Sequence, residues 1–171
     1  LPKIKIVVTG GGRVAKGAME VLNGIGIRNV SPAEFTTKYF DEPVFTQLNN
    51  RDYNKHKEGK LFNRGEFFSN PEAFEPDFKE FYQNGDILIA AAFWNPNAPV
   101  LFTREDMLGR DFKIKVVADI TCDIEGSIPS TKRPATIEDP IYDFDPTQDK
   151  VAPPLSDEGN VTVMAVDNLP C

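Results

Sequence analysis

Residues 3–25 read KIKIVVTGGGRVAKGAMEVLNGI and decide the fold. The run up to Thr9 is rich in β-branched residues and continuously apolar at its centre, as expected for a strand that is covered on both faces. Three glycines end it, and beyond Arg13 apolar residues recur at helical spacing until Gly24 and Gly26. We therefore predict a buried strand, a glycine turn and a helix in direct succession. The apolar stripe of this helix comprises Val14, Ala18, Val21, Leu22 and Ile25.

The rest of the chain continues this alternation. Further strands are predicted at residues 27–30, 87–92, 113–120 and 160–166, and short helices at residues 77–82 and 103–108. Residues 40–80 are polar but rich in phenylalanine, which predicts an ordered excursion from the core rather than disorder. Six prolines within residues 126–158 predict a long loop, with room for a short strand at residues 141–142. The pattern is typical of an α/β, Rossmann-type, doubly wound and mostly parallel sheet with a long excursion after the second strand.

Composition narrows the classes of function. The 171 residues suit one domain, and no apolar run is long enough to span a membrane. A net charge of −7 without a basic stripe argues against a nucleic-acid partner. Two cysteines cannot form a disulfide framework in a chain of this size, and no signal peptide opens it, so a reducing, cytoplasmic setting is expected. Residues 1–30 are locally basic, which favours the binding of an anion there.

The glycine turn carries the chemistry. Gly10-x-Gly12-x-x-Ala15 is a dinucleotide fingerprint with alanine at its third place. The first glycine permits the tight turn, the second lets the backbone approach a pyrophosphate, and the small third residue lets helix and strand pack closely. The amide groups at the helix start then face the anion. The alternative is a glycine turn that serves packing alone. A P-loop is excluded because Gly12 and Gly17, which have its spacing, are followed by Ala18 rather than by lysine and serine or threonine.

A fingerprint that binds NAD places an acid about 20 residues further on, at the end of the second strand, to bind the adenosine ribose. Glu34 is the candidate, although it falls slightly late and a solvated loop acid is the equal alternative. If Glu34 turns away, the site tolerates the 2′-phosphate of NADP. The choice between NAD and NADP therefore stays open at this point.

Other chemistry-bearing residues are weaker candidates. Phe93 and Trp94 follow the strand expected beside the first one, so they could flank a ribose or a nicotinamide, or simply be core aromatics. His56 lies among charged residues and is expected to be a solvated surface residue. Cys122 follows a strand without a histidine in any motif, which argues against a nucleophile.

Segments spread over nearly the whole chain carry a family resemblance. They are TGGGRVAKGA (9–18), VSPAE (30–34), DYNKH (52–56), IAAAFW (89–94), LFTRED (101–106), ADITCD (118–123) with GSI (126–128), and AVDNLP (165–170). In this order they resemble the nucleotide-binding domain of lysine-ketoglutarate reductase, the saccharopine-forming half of α-aminoadipic semialdehyde synthase, and of the related saccharopine dehydrogenases. Alanine dehydrogenase and transhydrogenase domains share the architecture but not these segments.

The resemblance implies a reaction and a set of site residues. The reaction is the reversible reductive condensation of lysine with 2-oxoglutarate to saccharopine, with hydride passing between NAD(P)H and the imine carbon. By resemblance, Gly10, Gly12, Arg13 and Val14 hold the pyrophosphate, and Phe93 and Ile120 line the cofactor crevice. The nicotinamide side of the site is formed by Val166, Asp167, Asn168 and Leu169.

The family's catalytic lysine and histidine lie in another domain, so the resemblance implies that residues 1–171 are one dinucleotide-binding domain of a larger two-domain enzyme, inactive alone. The rival from a different class is a non-catalytic dinucleotide-sensing or interaction domain, because a fold does not settle function. An adenosylmethionine-binding domain is disfavoured, since no clear acid closes the second strand. The sequence does not determine the oligomeric state.

Overall fold

The computed structural model describes residues 2–167. The strands within them are β1 (Lys5–Thr9), β2 (Arg28–Asn29), β3 (Val44–Leu48), β4 (Asn54–His56), β5 (Phe74–Pro76), β6 (Ile87–Ala90), β7 (Val116–Asp119), β8 (Ile141–Asp145), β9 (Lys150–Ala152) and β10 (Val161–Met164). The α-helices are α1 (Arg13–Gly24), α2 (Pro32–Thr37), α3 (Asn50–Tyr53), α4 (Arg64–Ser69), α5 (Lys79–Asn84) and α6 (Arg104–Met107). A single 3₁₀ turn, Pro71–Ala73, precedes β5.

Eight of these strands form one sheet in the order β2-β3-β1-β6-β7-β10-β8-β9. From β2 to β10 neighbouring strands run parallel, whereas β8 and β9 add an antiparallel edge. The pair β4 and β5 forms a separate two-stranded sheet. The α/β, Rossmann-type, mostly parallel sheet expected from the sequence is therefore confirmed.

Side chains alternate along β1 between two apolar clusters. Val7 contributes to the larger cluster, which is rich in aromatic rings, while Ile6 and Val8 pack in the smaller one together with Ala15 and Leu22 of α1. Burial on both faces explains why the sequence of β1 reads as a continuous apolar run.

The buried face of α1 is narrower than its apolar stripe. Ala15 and Leu22, two turns apart, are buried, but Val14, Val21 and Ile25 are exposed. The glycine turn sets where the helix starts, and the small Ala15 marks its closest approach to the sheet. The periodicity of the sequence thus predicted the helix correctly but not the face that it buries.

Residues 40–80 hold a strand that the sequence analysis missed. β3 lies inside this region and pairs along its whole length with β1, from Lys5 opposite Val44 to Thr9 opposite Leu48. Its polar residues, Thr46 and Gln47, interrupt the apolar run that normally signals a buried strand. The excursion is therefore shorter than expected. We call residues 50–76, which carry α3, β4, α4 and β5, the insertion.

The proline-rich stretch also holds more structure than expected. β8 and β9 lie at the edge of the sheet, and Pro140, Pro146 and Pro153 flank these strands instead of interrupting them. Proline has no amide hydrogen to donate to a sheet, so it is tolerated at strand ends and edges. The prolines thus mark where the strands begin and end.

The helices are short. Among the described residues, none is both long enough and apolar enough to cross a membrane.

Candidate dinucleotide site

The glycine turn is wedged between the carboxyl ends of β3 and β6. Gly10 has a φ of +101°, and a Cβ atom there would lie 2.7 Å from the carbonyl oxygen of Ala91, so only glycine fits. Its amide donates to the carbonyl oxygen of Leu48 at 2.8 Å, and the side-chain amide of Gln47 donates to its carbonyl oxygen at 2.6 Å. The turn is therefore hydrogen-bonded to β3 on one side and packed closely against Ala91, after β6, on the other.

Gly12 opens the first turn of α1 toward solvent. It is the N-cap residue and offers no side chain to the amide groups of that turn, and a Cβ atom there would meet nothing within 4 Å. The first turn contains no acid but carries Arg13 and Lys16. Uncapped amides, a positive helix dipole and two basic residues fit an anion such as a pyrophosphate.

An open cleft of about 710 Å³ lies over this turn. Its size falls within the usual range for small-molecule sites. The glycine turn, the end of β3, the insertion and the residues after β6 supply its walls: Gly10, Gly11, Gly12, Asn49, Asn50, Arg51, Phe62, Arg64, Phe68, Ala91, Ala92 and Phe93. Because β3 and β2 continue the sheet on one side of β1 while β6 and β7 continue it on the other, the cleft lies at the switch point where such folds bind dinucleotides.

The structure brings only some of the expected residues together. Gly10, Gly12 and Phe93 line the cleft, and Arg13, Val14 and Ala15 form the first turn of α1 beside it, with Ala15 fully buried. The remaining candidates lie further along the carboxyl edge of the sheet: Ile120 after β7, and Val166 and Asp167 after β10. Asn168 and Leu169 lie outside the described residues.

Glu34 does not share this cleft. It lies in α2, where the carbonyl oxygen of the adjacent Phe35 accepts a hydrogen bond from Lys5 at the amino end of β1. This places Glu34 at the opposite edge of the sheet. Its pKa falls to about 2 because Lys38 and Ser31 donate hydrogen bonds to its carboxylate. The solvated alternative fits this geometry, and the expectation for Glu34 assumes that residues 27–30 lie next to β1, where the structure has β3.

The residues directly after β3, which the sequence analysis missed, line the cleft instead of Glu34. They follow β3 as Asn49, Asn50 and Arg51. The nearby carboxylate of Asp52 accepts a hydrogen bond from the amide of Asn49 at 2.7 Å and so caps α3. In the sequence, these residues are marked only by a five-residue strand followed by two asparagines. This strand is too short and too polar to recognise from its hydrophobic pattern.

His56 is buried, which contradicts the expected surface position. Its Nδ1 accepts from the amide of Glu58 at 3.0 Å, Nε2 lies 3.3 Å from a carboxylate oxygen of Glu66, and the ring packs on Phe74. Because side chains alternate along β4, His56 turns inward although charged residues flank it in sequence. It holds the insertion together.

Asp119 anchors the loop after β7. The residue is 1% exposed, and its carboxylate accepts hydrogen bonds from the amide and hydroxyl groups of Thr121, at 3.1 and 2.7 Å, and from the hydroxyl of Thr131 at 2.7 Å. These contacts tie both ends of the loop that begins with Ile120 to one buried group.

Cys122 lies in this loop in a left-handed conformation, with a φ of 52°. Its sulfhydryl donates to the carbonyl oxygen of Asp119 at 3.3 Å. Burial raises the pKa of the thiol to about 11, and the carboxylates of Asp119, Asp167 and Asp123 add to this effect. The group is therefore a neutral thiol at physiological pH rather than a nucleophile.

We expect Cys122 to be alkylated slowly. In a Cys171→Ser variant at pH 7.5, the raised pKa predicts a thiolate population on the order of 100-fold below that of an ordinary thiol. The rate should keep rising up to about pH 11. Iodoacetamide labelling followed by mass spectrometry measures it, and the same chain in guanidinium chloride is the control. Equal rates for the folded and unfolded chains would contradict the prediction.

Comparisons with known proteins identify relatives of this chain. No protein-family model matches the chain. α-Aminoadipic semialdehyde synthase of Arabidopsis thaliana is 26% identical over 184 residues, which covers 96% of this chain. The mitochondrial enzyme of Mus musculus is 27% identical over 194 residues, which covers 98% of it, and that of Bos taurus gives the same figures.

The chain is a relative of the α-aminoadipic semialdehyde synthases. The resemblance carried by its segments is thereby confirmed. The chain spans about a fifth of the length of these synthases, from 17% of the plant protein to 20% of the mammalian ones.

Proposed function

We propose that this chain is the NAD(P)-binding domain of an oxidoreductase of lysine metabolism that forms or cleaves saccharopine. Hydride would pass to or from the carbon–nitrogen bond that joins lysine and 2-oxoglutarate. The observation that carries the proposal is the uncapped start of α1 at Gly12, which opens onto a cleft at the switch point of the sheet. The relationship to the α-aminoadipic semialdehyde synthases supports the choice of reaction.

The chain's own residues bind and orient the cofactor. The backbone amides that follow Gly12 would hold the pyrophosphate, and Arg13 and Lys16 would neutralise part of its charge. The bound nicotinamide supplies the hydride. Ile120, Val166 and Asp167 lie along the edge where the nicotinamide half would extend. Asn168 and Leu169 would continue that side.

By the family resemblance, the catalytic lysine and histidine that would protonate the imine nitrogen lie in another domain. Among the described residues that line the cleft, none is a lysine, histidine, aspartate or glutamate. Hydride transfer to an imine needs an acid within reach. We therefore propose that this domain works as one part of a two-domain enzyme, whose other domain supplies the acid and base and the binding site for the small-molecule substrate.

The end of β3 favours NADP(H) over NAD(H). Arg51 lines the cleft with a largely exposed side chain, and its Nε lies 3.7 Å from one carboxylate oxygen of Asp52, whose other oxygen caps α3. An arginine in this position accommodates a 2′-phosphate, whereas an acid would bind the unmodified ribose and repel it. Asn49 and Asn50, which precede Arg51, carry no charge and therefore repel neither NADP(H) nor NAD(H).

Calorimetric titration with NADPH and NADH, with the fluorescence of Trp94 followed in parallel, tests the proposal. We expect NADPH to bind more tightly, and Arg51→Gln to weaken NADPH about tenfold while leaving NADH unchanged, because only the 2′-phosphate contact is lost. Arg28→Gln is the matched control, since Arg28 pairs with Glu42 far from the cleft. If neither nucleotide binds at millimolar concentration, the dinucleotide site is refuted.

A non-catalytic dinucleotide-sensing domain is the second candidate, favoured by the same lack of an acid or base in the cleft lining. An assay of the full-length polypeptide with lysine, 2-oxoglutarate and NADPH separates the two. Consumption of NADPH that depends on both substrates supports the oxidoreductase, and binding without turnover supports the sensor.

A further inference from the structure

Two large aromatic rings in the lining of the cleft are exposed to solvent and come from two separate segments of the chain. Phe68, from α4 of the insertion, is 51% exposed, and Phe93, from the loop after β6, is 84% exposed. Each exposed phenylalanine forgoes the stabilisation that burial of its ring would bring. Their common position at a site for a flat, partly apolar ligand suggests that they are exposed for binding.

Both rings also border a narrower aromatic pocket below the cleft. Tyr53, Phe67 and Trp94 form much of its wall, and its interior of about 30 Å³ holds roughly one water molecule. The indole nitrogen of Trp94 donates to the carbonyl oxygens of Ala98 and Pro99, at 3.2 and 3.3 Å, which fixes that ring. The pocket is thus too small to admit an aromatic ring.

The Phe68 ring is supported by other aromatic rings of the insertion. The Phe67 ring packs edge-on against Phe68 and Phe74, with centroids 5.6 and 5.2 Å away, and it also contacts Phe62. The guanidinium carbon of Arg64 lies 5.7 Å from the centroid of Phe68. A ring supported by other rings and held beside a cation loses little conformational entropy when it binds a second aromatic system.

We propose that the adenine ring of the dinucleotide stacks between Phe68 and Phe93, so that the insertion forms one half of the adenosine site. This inference rests on the proposed function, because it presumes that a dinucleotide binds with its pyrophosphate at Gly12. Asn49, which follows β3, lies beside Gly11: its side-chain oxygen is 2.8 Å from the position that a Cβ atom of Gly11 would take. In this arrangement the ribose lies between the glycine turn and the two aromatic rings. The nicotinamide half then extends the other way, toward Ile120.

Binding of ADP-ribose and of reduced nicotinamide mononucleotide to Phe68→Leu, Phe68→Tyr and the unmodified chain tests the inference. We expect Phe68→Leu to weaken ADP-ribose about tenfold, because leucine keeps the apolar contact but loses stacking. Phe68→Tyr should stay within about twofold of the unmodified chain. The mononucleotide should bind equally to all three. Tyr39→Leu, which removes an exposed aromatic ring elsewhere, is the control.

Phe93→Leu provides a second variant whose folding is not in question, since its ring is mostly in solvent. It should weaken ADP-ribose like Phe68→Leu. If neither leucine variant changes the affinity for ADP-ribose, adenine lies elsewhere and the inference fails while the dinucleotide site stands. Equal weakening of the mononucleotide also overturns it, because the rings would then hold the nicotinamide. If the unmodified chain binds no nucleotide at all, the proposed function fails with it.

Discussion

Replacing Gly12 with valine should weaken the binding of NADPH at least about 100-fold, or about 2.7 kcal/mol, with the fold intact. The position is open, so a larger side chain meets no protein atom within 4 Å at its Cβ and forces no rearrangement. That open space is where a pyrophosphate must approach the amide groups of α1, and two methyl groups would occupy it. Loss of glycine from the N-cap lowers the free energy of unfolding by about 1 kcal/mol or less.

Gly17→Ala is the matched control for this variant. Gly17 also has open space around its Cβ position, but it lies mid-helix and does not line the cleft. Alanine there should raise the free energy of unfolding by about 1 kcal/mol and leave NADPH binding unchanged. Calorimetry and urea denaturation of both variants give the two quantities. Unimpaired binding by Gly12→Val would show that the glycine turn serves packing alone.

Removing the carboxylate of Asp119 should produce the largest change in stability. Asp119→Ala should lower the free energy of unfolding by about 3 kcal/mol, because three hydrogen bonds to one buried group are lost together and their donors are left without an acceptor. The amides of residues 120–131 should then exchange with deuterium faster. Urea denaturation and hydrogen exchange measure the two effects.

Asp119→Asn is the conservative comparison. Its side-chain oxygen can still accept from Thr121, and its amide can donate to the hydroxyl of Thr131, so we expect it to retain most of the stability. Thr131→Val removes a single contact and should fall between the two. Wild-type stability and exchange in Asp119→Ala would mean that the loop is held by its other contacts, such as the hydrogen bond from Tyr142 to Ser130.

Gly12 and Asp119 separate two roles of the carboxyl edge. Gly12 leaves space for a ligand and contributes little to the fold, whereas Asp119 fills space and holds a loop. Gly12→Val should change binding with only a small effect on stability. Asp119→Ala should change stability and, through the loop that begins at Ile120, the nicotinamide end of the site. Parallel effects of both variants on both quantities would contradict this division.

The missed strand shows how an error in topology misplaces a site. The sequence of β3, VFTQL, contains two polar residues, and Thr46 is nevertheless fully buried. Hydrophobic periodicity identifies a buried strand only when its residues are apolar. Without β3, the short strand β2 becomes the neighbour of β1, and the candidate is Glu34 rather than the residues after β3 that line the cleft.

The sequence by itself determined the strand, glycine turn and helix of residues 5–24, because their spacing and residue types permit little else. The segments shared with the α-aminoadipic semialdehyde synthases likewise needed no coordinates. Only the tertiary structure decided which strand lies beside β1, that His56 is buried, and that Phe68 and Arg64 of the insertion reach the cleft. These facts depend on contacts between residues distant in the chain, and local propensity carries no information about such pairings.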